Sequence, residues 1–274
     1  MNGGESAAWR QWLPAVVVVA AVLGTWELAT VQAGISPLVL PRPSVILQTA
    51  VTQATLYLRH SLITAGEVAL GFMLATILGT LAGVVVASSQ LVGRAIYPNL
   101  VIAQLMPKVA FAPLLIIWFG FGLAPKLVMV VVIAFFPIVI NTIVGLNMTT
   151  REGLLLFRAM GASPWQTFVK LKVPNAFPVL FGGLKVAATL AVIGAVVAEF
   201  TGAKNGLGYL LMTQVGMLQT PEAFASVVYL TLLGLLLFCT VTLAERLVVP
   251  AHMLRRVDAA GRGITGARPQ GEIG

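Results

Sequence analysis

Residues 149–178 read TTREGLLLFRAMGASPWQTFVKLKVPNAFP, a cluster of charge set between two long apolar stretches in the middle of the chain. The segment has the punctuation of two short helices in a hairpin. Thr149 and Glu152 have capping-box spacing for the first helix, and Gly161 stands where a helix C-terminus needs a residue free to take positive φ. Ser163 fits the N-cap of the second helix, with Pro164 at its first position and Gln166 completing another capping box. Pro174 is expected to stop that helix. Yet Leu154, Leu155, Leu156, Phe157, Trp165 and Phe168 give this polar hairpin more apolar bulk than a solvated loop needs. Clustered aliphatic and aromatic side chains facing water argue for a partner protein.

The flanks of the hairpin set the class. Of the 274 residues, 58% are hydrophobic and 9% charged, with a mean hydropathy of +0.96, whereas soluble domains are about one quarter charged. An all-α, polytopic integral membrane protein is expected, built as one bundle without a soluble domain. Cys239 is the only cysteine and lies in an apolar run, which leaves neither a disulfide framework nor a metal site.

In chain order, residues 1–12 read as a polar tail and residues 13–250 as the membrane domain, whose first span, Leu13 to about Ala33, is an anchor that stays. A Pro-rich segment with Pro37, Pro41 and Pro43 follows. Ser44 to Leu58 has helical apolar spacing but too many polar residues to cross, so it is expected at the membrane interface. Ser61 to Ser88 is the second span; its Gly79 and Gly83 form a GxxxG pair, read as ordinary helix packing in preference to a dimer interface. Leu100 to Gly122 is apolar but interrupted by Pro107 and Pro113, which predicts a broken third span. Ala124 to Asn147 and Val179 to Thr201 are the fourth and fifth spans. A Gly-rich connector leads to the sixth, Phe224 to Val249, and residues 251–274 form a basic tail.

Six spans place both termini and the hairpin on one side. On that side lie Arg10, Arg94, Arg151, Arg158, Lys170, Lys172, Arg246, Arg255, Arg256, Arg262 and Arg268, eleven cations against four on the other, Arg42, Arg59, Lys126 and Lys204. The positive-inside rule makes the eleven-cation side cytoplasmic. The net charge of +8 therefore serves topology and contact with anionic lipid, and no nucleic-acid partner is expected.

The hairpin also carries a family resemblance. Gly161, nine further residues, then Leu171-Lys172-Val173-Pro174 resembles the cytoplasmic EAA loop of ABC-importer permeases. The Glu-Ala-Ala portion falls on Leu155, Leu156 and Phe157, so its acidic residue is absent. Pro107-Lys108-Val109-Ala110-Phe111-Ala112-Pro113, followed by Trp118-Phe119-Gly120, is similar to the third span of nitrate, sulfonate and taurine-type permeases. Phe135-Phe136-Pro137 with Asn141-Thr142, and Ala198-Glu199-Phe200 with Gly206-Leu207-Gly208-Tyr209, resemble later segments of the same proteins. Together these cover roughly residues 40–250.

The resemblance implies a six-helix, type I importer-like permease of the bacterial inner membrane that forms a homodimer. It would bind two cytoplasmic ATPase subunits through Phe157, Gly161, Ala162, Ser163, Trp165, Phe168, Leu171 and Pro174, and take substrate from an extracytoplasmic binding protein. Such families carry nitrate, alkanesulfonates, taurine, pyrimidine precursors or riboflavin-like compounds; a small organic nutrient is favoured here because the pathway candidates are mixed in sign. No phosphate-cradling Gly-x-x-x-x-Gly-Lys-Ser/Thr loop and no base-plus-nucleophile set is present, so a transport subunit without a cofactor of its own is expected, ATP being bound by the partner. His60 and His252 are expected near opposite faces.

Isolated polar residues inside spans are costly and face cavities or partners. Lys108, Glu67, Asn141 and Glu199 are the pathway candidates. Lys108 either lines the pathway or forms a structural ion pair with Glu67; Lys185 and Glu199 could simply snorkel. Two other function classes stay open at this stage, an ATP-independent secondary transporter and a membrane scaffold. A secondary transporter should repeat its broken helix in both halves, and only one Pro-broken span is legible.

Overall fold

The structure, a computed structural model, describes residues 5–249, with the side chains of residues 13–89 and 91–249. Residues 1–4 of the expected N-terminal tail, the basic tail 251–274 and His252 lie outside the described residues. Among those described there is no strand. The helices are α1 (Glu5–Gln32), α2 (Pro43–Thr52), α3 (Ala54–Ser88), α4 (Gln90–Gln104), α5 (Ala112–Phe119), α6 (Leu123–Asn147), α7 (Arg151–Ala159), α8 (Pro164–Thr167), α9 (Val173–Gly202), α10 (Leu207–Gly216) and α11 (Thr220–Val248). Among the described residues five helical stretches are long and apolar enough to cross a bilayer, and the bent pair on either side of residues 105–107 makes a sixth if it is taken as one span. Exposed leucines, isoleucines and valines cover these helices. Hydrocarbon as solvent removes the need to bury them.

The chain divides into two compact units, residues 1–64 with 203–232 and residues 65–202 with 233–274. In the first, buried polar groups organise the packing. Tyr57, fully buried, donates to the Glu222 carbonyl at 3.1 Å and receives the Gln214 amide at 3.3 Å, while Ser226 donates to Gln214 Oε1 at 2.6 Å. Tyr57 and Tyr229 stack at 4.9 Å. The Gly206 N–H donates to His60 Nδ1 at 3.1 Å and the Leu207 N–H to Thr64 Oγ1 at 2.8 Å, so the orphan donors at the start of α10 are satisfied by side chains of α3. Glu27 binds the backbone N–H and hydroxyl of Ser44, tying α1 to the start of α2.

In the second unit the centre is the α6–α9 pair. Ala187, Ala188, Ala191 and Ala195 on α9 are buried, as are Met129, Val130, Ala134 and Ile138 on α6. Small residues bring the backbones together: a Cβ on Gly194 would sit 2.9 Å from Val130 Cα, and one on Gly145 2.9 Å from the Ala176 carbonyl oxygen. This close approach is how helices gain contact where lipid removes the hydrophobic drive. Gly79 and Gly83 of α3 meet Ile138 and Thr142 of α6, so the GxxxG pair is packing within the chain.

Several boundaries differ from expectation. The second span starts at Ala54, seven residues before Ser61, and the interfacial segment Ser44 to Leu58 is divided at Gln53 between α2 and α3. The larger difference is at Pro174. It does not stop the second hairpin helix: α8 passes through a π-turn, Phe168–Lys172, directly into α9. The Val173 N–H reaches back five residues to the Phe168 carbonyl, and this wider turn makes room for the proline ring, which would clash with the preceding turn of a regular α-helix.

Candidate functional site

The hairpin is closed by backbone chemistry at its tip. Thr150, one residue beyond the expected Thr149, caps α7 by accepting from the Gly153 N–H at 3.3 Å. Thr149 instead donates its hydroxyl to the Leu146 carbonyl, which removes it from the cap and leaves Glu152 as a first-turn acid without a capping-box partner. At the other end of α7, Gly161 has φ +71°. The Gly161 N–H donates to the Arg158 carbonyl and the Ala162 N–H to the Phe157 carbonyl, both at 3.0 Å, the two bonds of a Schellman motif. Ser163 then starts α8 with a complete capping box: its hydroxyl accepts from the Gln166 N–H at 3.2 Å, and its own N–H donates to Gln166 Oε1 at 2.9 Å.

The helices between these caps carry exposed apolar side chains. Trp165 is 71% exposed and stacks on Phe168 at 5.8 Å; Leu155, Leu156, Met160 and Val169 are also exposed. Leu171 packs inward, where a Cβ on Gly153 would lie 3.5 Å from its Cδ1. Pro174 is half-buried at the root of the hairpin.

The second feature is the break in the third span. α4 ends at Gln104, a 3-10 turn runs over Lys108–Phe111, and α5 leaves at 82° to α4. A cavity of about 520 Å³ opens beside the break, bounded by α3, α4, α5 and α6. Lys108 is the only charged residue in its wall. The ammonium donates to the Gln104 carbonyl at 2.7 Å, satisfying an acceptor that the helix end leaves free, and lies 4.9 Å from the centre of the Phe136 ring. Both contacts favour the charge.

Of the four pathway candidates only Lys108 lines this cavity. Of the two alternatives for Lys108, the ion pair with Glu67 is not formed. Glu67 is 5% exposed and pairs instead with Lys126, in the first turn of α6, at 2.5 Å. Lys126 is the residue that sequence reasoning missed. From sequence it counts only among the four cations at the far end of the spans, at the start of the fourth, and has no partner assigned. Lys185 does not snorkel but pairs with Glu245 of α11 at 2.5 Å, and Glu199 is buried at 1% exposure and engaged. Asn141 donates to the Pro137 carbonyl at 2.8 Å and packs on Gly183, whose added Cβ would lie 2.5 Å from its Cβ. A second cavity of about 760 Å³ lies between α3, α4 and α6, with Arg94, Tyr97 and Asn147 in its wall.

Comparison with known proteins gives three kinds of likeness. Residues 75–251 match the family model described as binding-protein-dependent transport system inner membrane component. The formylaminopyrimidine transport permease protein ThiX of Halalkalibacterium halodurans is 36% identical over 82% of this chain and 90% of its own length. The riboflavin transport system permease protein RibX of Chloroflexus aurantiacus is 35% identical over 85% of this chain and 88% of its own length. A chain of the MetNI methionine ABC transporter, solved in an inward-facing conformation, superposes with a TM-score of 0.62 at 21% identity, covering 73% of this chain and 99% of that one. That likeness is one of fold.

Proposed function

This chain belongs to the family of binding-protein-dependent transport system inner membrane components, an ABC-importer permease, and from that premise we propose how it works. Two copies form a translocation pathway in the inner membrane. The hairpin Arg151–Lys172 docks a cytoplasmic ATPase on each copy, and an extracytoplasmic binding protein delivers a small organic solute. The observation that carries this reading is the hairpin: a capped, geometrically fixed element whose water-facing side chains include Trp165 and Met160.

The π-turn supports the coupling step. Because α8 runs through it into α9 without a loop, displacement of the hairpin is transmitted to a helix packed along the whole of α6, and α6 forms one wall of the cavity beside the broken span. ATP-driven approach of the two ATPases would press the hairpins together and tip the cavity between inward and outward access. Phe157, Gly161, Ala162, Ser163, Leu171 and Pro174 hold the hairpin's shape, and Trp165 and Phe168 are its anchors. Lys108 is the pathway residue. Glu67, Asn141 and Glu199, held in buried contacts, position helices in preference to touching solute. The two permease relatives named above transport heteroaromatic compounds according to their names, which favours an organic solute over an inorganic ion.

Reconstitution of the permease with its ATPase and binding protein in vesicles tests the reading. ATP-dependent uptake that needs all three components is expected. Uptake that persists without ATP would point to a secondary transporter, and a complete absence of ATPase binding would leave only a scaffold.

A further inference from the structure

The cavity beside the broken span has a wall whose chemistry specifies an occupant. Five of its thirteen lining residues are aromatic, against 8% of the chain. Phe111, Trp118, Phe119, Phe135 and Phe136 supply the rings, aliphatic side chains supply the rest, and Lys108 supplies the single charge. An ammonium has three protons to donate. One goes to the Gln104 carbonyl, and Phe136 lies 4.9 Å away. Among the described residues the two carboxylate ion pairs, Glu67 with Lys126 and Glu245 with Lys185, are made elsewhere. Lys108 therefore has, among the described residues, donor capacity and no carboxylate partner in a wall that is otherwise apolar, a condition that disfavours a cation within a span unless charge is brought to it.

Building on the importer reading, we propose that this cavity is a binding station for a small aromatic anion. The acidic group sits on Lys108 Nζ and the planar ring lies against Phe111, Trp118 and Phe135. A hydrated inorganic anion fits poorly, because it would exchange its water shell for one donor and an apolar wall. A neutral apolar solute would leave the ammonium's remaining donors unused. The volume of about 520 Å³ is in the range of pockets that enclose a small organic ligand, and the backbone break supplies the irregular wall that solute sites within membranes are built from.

The test uses the permease co-purified with its ATPase subunits in lipid nanodiscs, irradiated with 4-azidobenzoate and analysed by peptide mass spectrometry. Adducts are expected within residues 103–136, displaced by excess nicotinate but not by nicotinamide or nitrate. Lys108→Met should lower labelling about tenfold, as loss of one charge-assisted contact implies, and Lys108→Arg should retain it. Phe111→Leu keeps the charge and removes a ring, so reduced labelling there supports the aromatic wall even if Lys108→Met fails to assemble. Adducts elsewhere, undiminished labelling of Lys108→Met or of Phe111→Leu, or equal displacement by nicotinamide would overturn the assignment. ATP hydrolysis by the same preparation separates the two readings: coupled hydrolysis without specific labelling defeats only the aromatic-anion site, and specific labelling without any bound or active ATPase defeats only the importer.

Discussion

Gly161 and Trp165 divide the hairpin's work between backbone and side chain. No atom lies within 4 Å of where a Cβ on Gly161 would stand, so a side chain there costs only the strain of holding φ at +71°. That strain is about 1–2 kcal/mol for a residue with a β-carbon, and a β-branched one is strained more. Gly161→Val should therefore leave the spans intact and misaim α8. Trp165 touches Phe168 but is mostly in water; truncating a docking anchor of this kind costs about 2 kcal/mol or more of binding. Both Gly161→Val and Trp165→Ala are expected to insert and dimerise normally while co-purifying with less ATPase and losing solute-stimulated hydrolysis. Normal ATPase recovery and stimulation in both variants would remove the hairpin from the coupling path. Lys108→Met, in contrast, should purify with the full complement of ATPase and transport poorly; an unaltered transport rate would assign Lys108 to capping α4 alone.

Between helices, the seams are set by glycines and by paired charges. A Cβ on Gly83 would come within 2.5 Å of Thr142 Cβ, and Thr142 is buried on α6, so the neighbour has little room to give. Gly83→Leu is expected to destabilise the detergent-solubilised protein by about 1–3 kcal/mol, the usual cost of overpacking, visible as a lower thermal midpoint. The Lys185–Glu245 pair should behave differently. Lys185→Met strands a carboxylate that is largely buried, so it should lower the midpoint more than Lys185→Met with Glu245→Leu, since breaking a buried pair costs more than replacing both partners. A double variant less stable than the single one would contradict this. The same contrast between local and distant chemistry decides what was legible from sequence. Capping boxes, the αL glycine and the broken span are determined by residues within a turn or two of each other, so Ser163, Gln166, Gly161 and Pro107 could be read directly. Thr150 was misread by one position because two adjacent threonines offer the same oxygen. Pro174 was misread because a π-turn is a relaxation of the helix around the proline and has no spacing of its own. The Glu67–Lys126 pair joins residues 59 apart, and only the packing of α3 on α6 reveals that Lys126 reaches inward.

At the scale of the whole molecule, orientation follows from charge counts that the fold does not itself display. The helix α9 separates the hairpin from Lys204 with 30 residues, about 45 Å at helical rise, longer than the roughly 30 Å hydrocarbon layer it must cross. Glu152 and Lys204 are both exposed, and a single crossing between them predicts that they face opposite compartments. By the positive-inside rule, the eleven-to-four excess of cations on the hairpin's side predicts the cytoplasm for Glu152. In a Cys239→Ser background, Glu152→Cys should react with a membrane-impermeant maleimide only after the membrane is opened, and Lys204→Cys should react in intact cells. Reaction of both from outside would mean that α9 does not span. The reverse pattern would turn the hairpin away from the compartment that holds ATP, and docking of an ATPase on Trp165 would then be impossible however well the hairpin is formed.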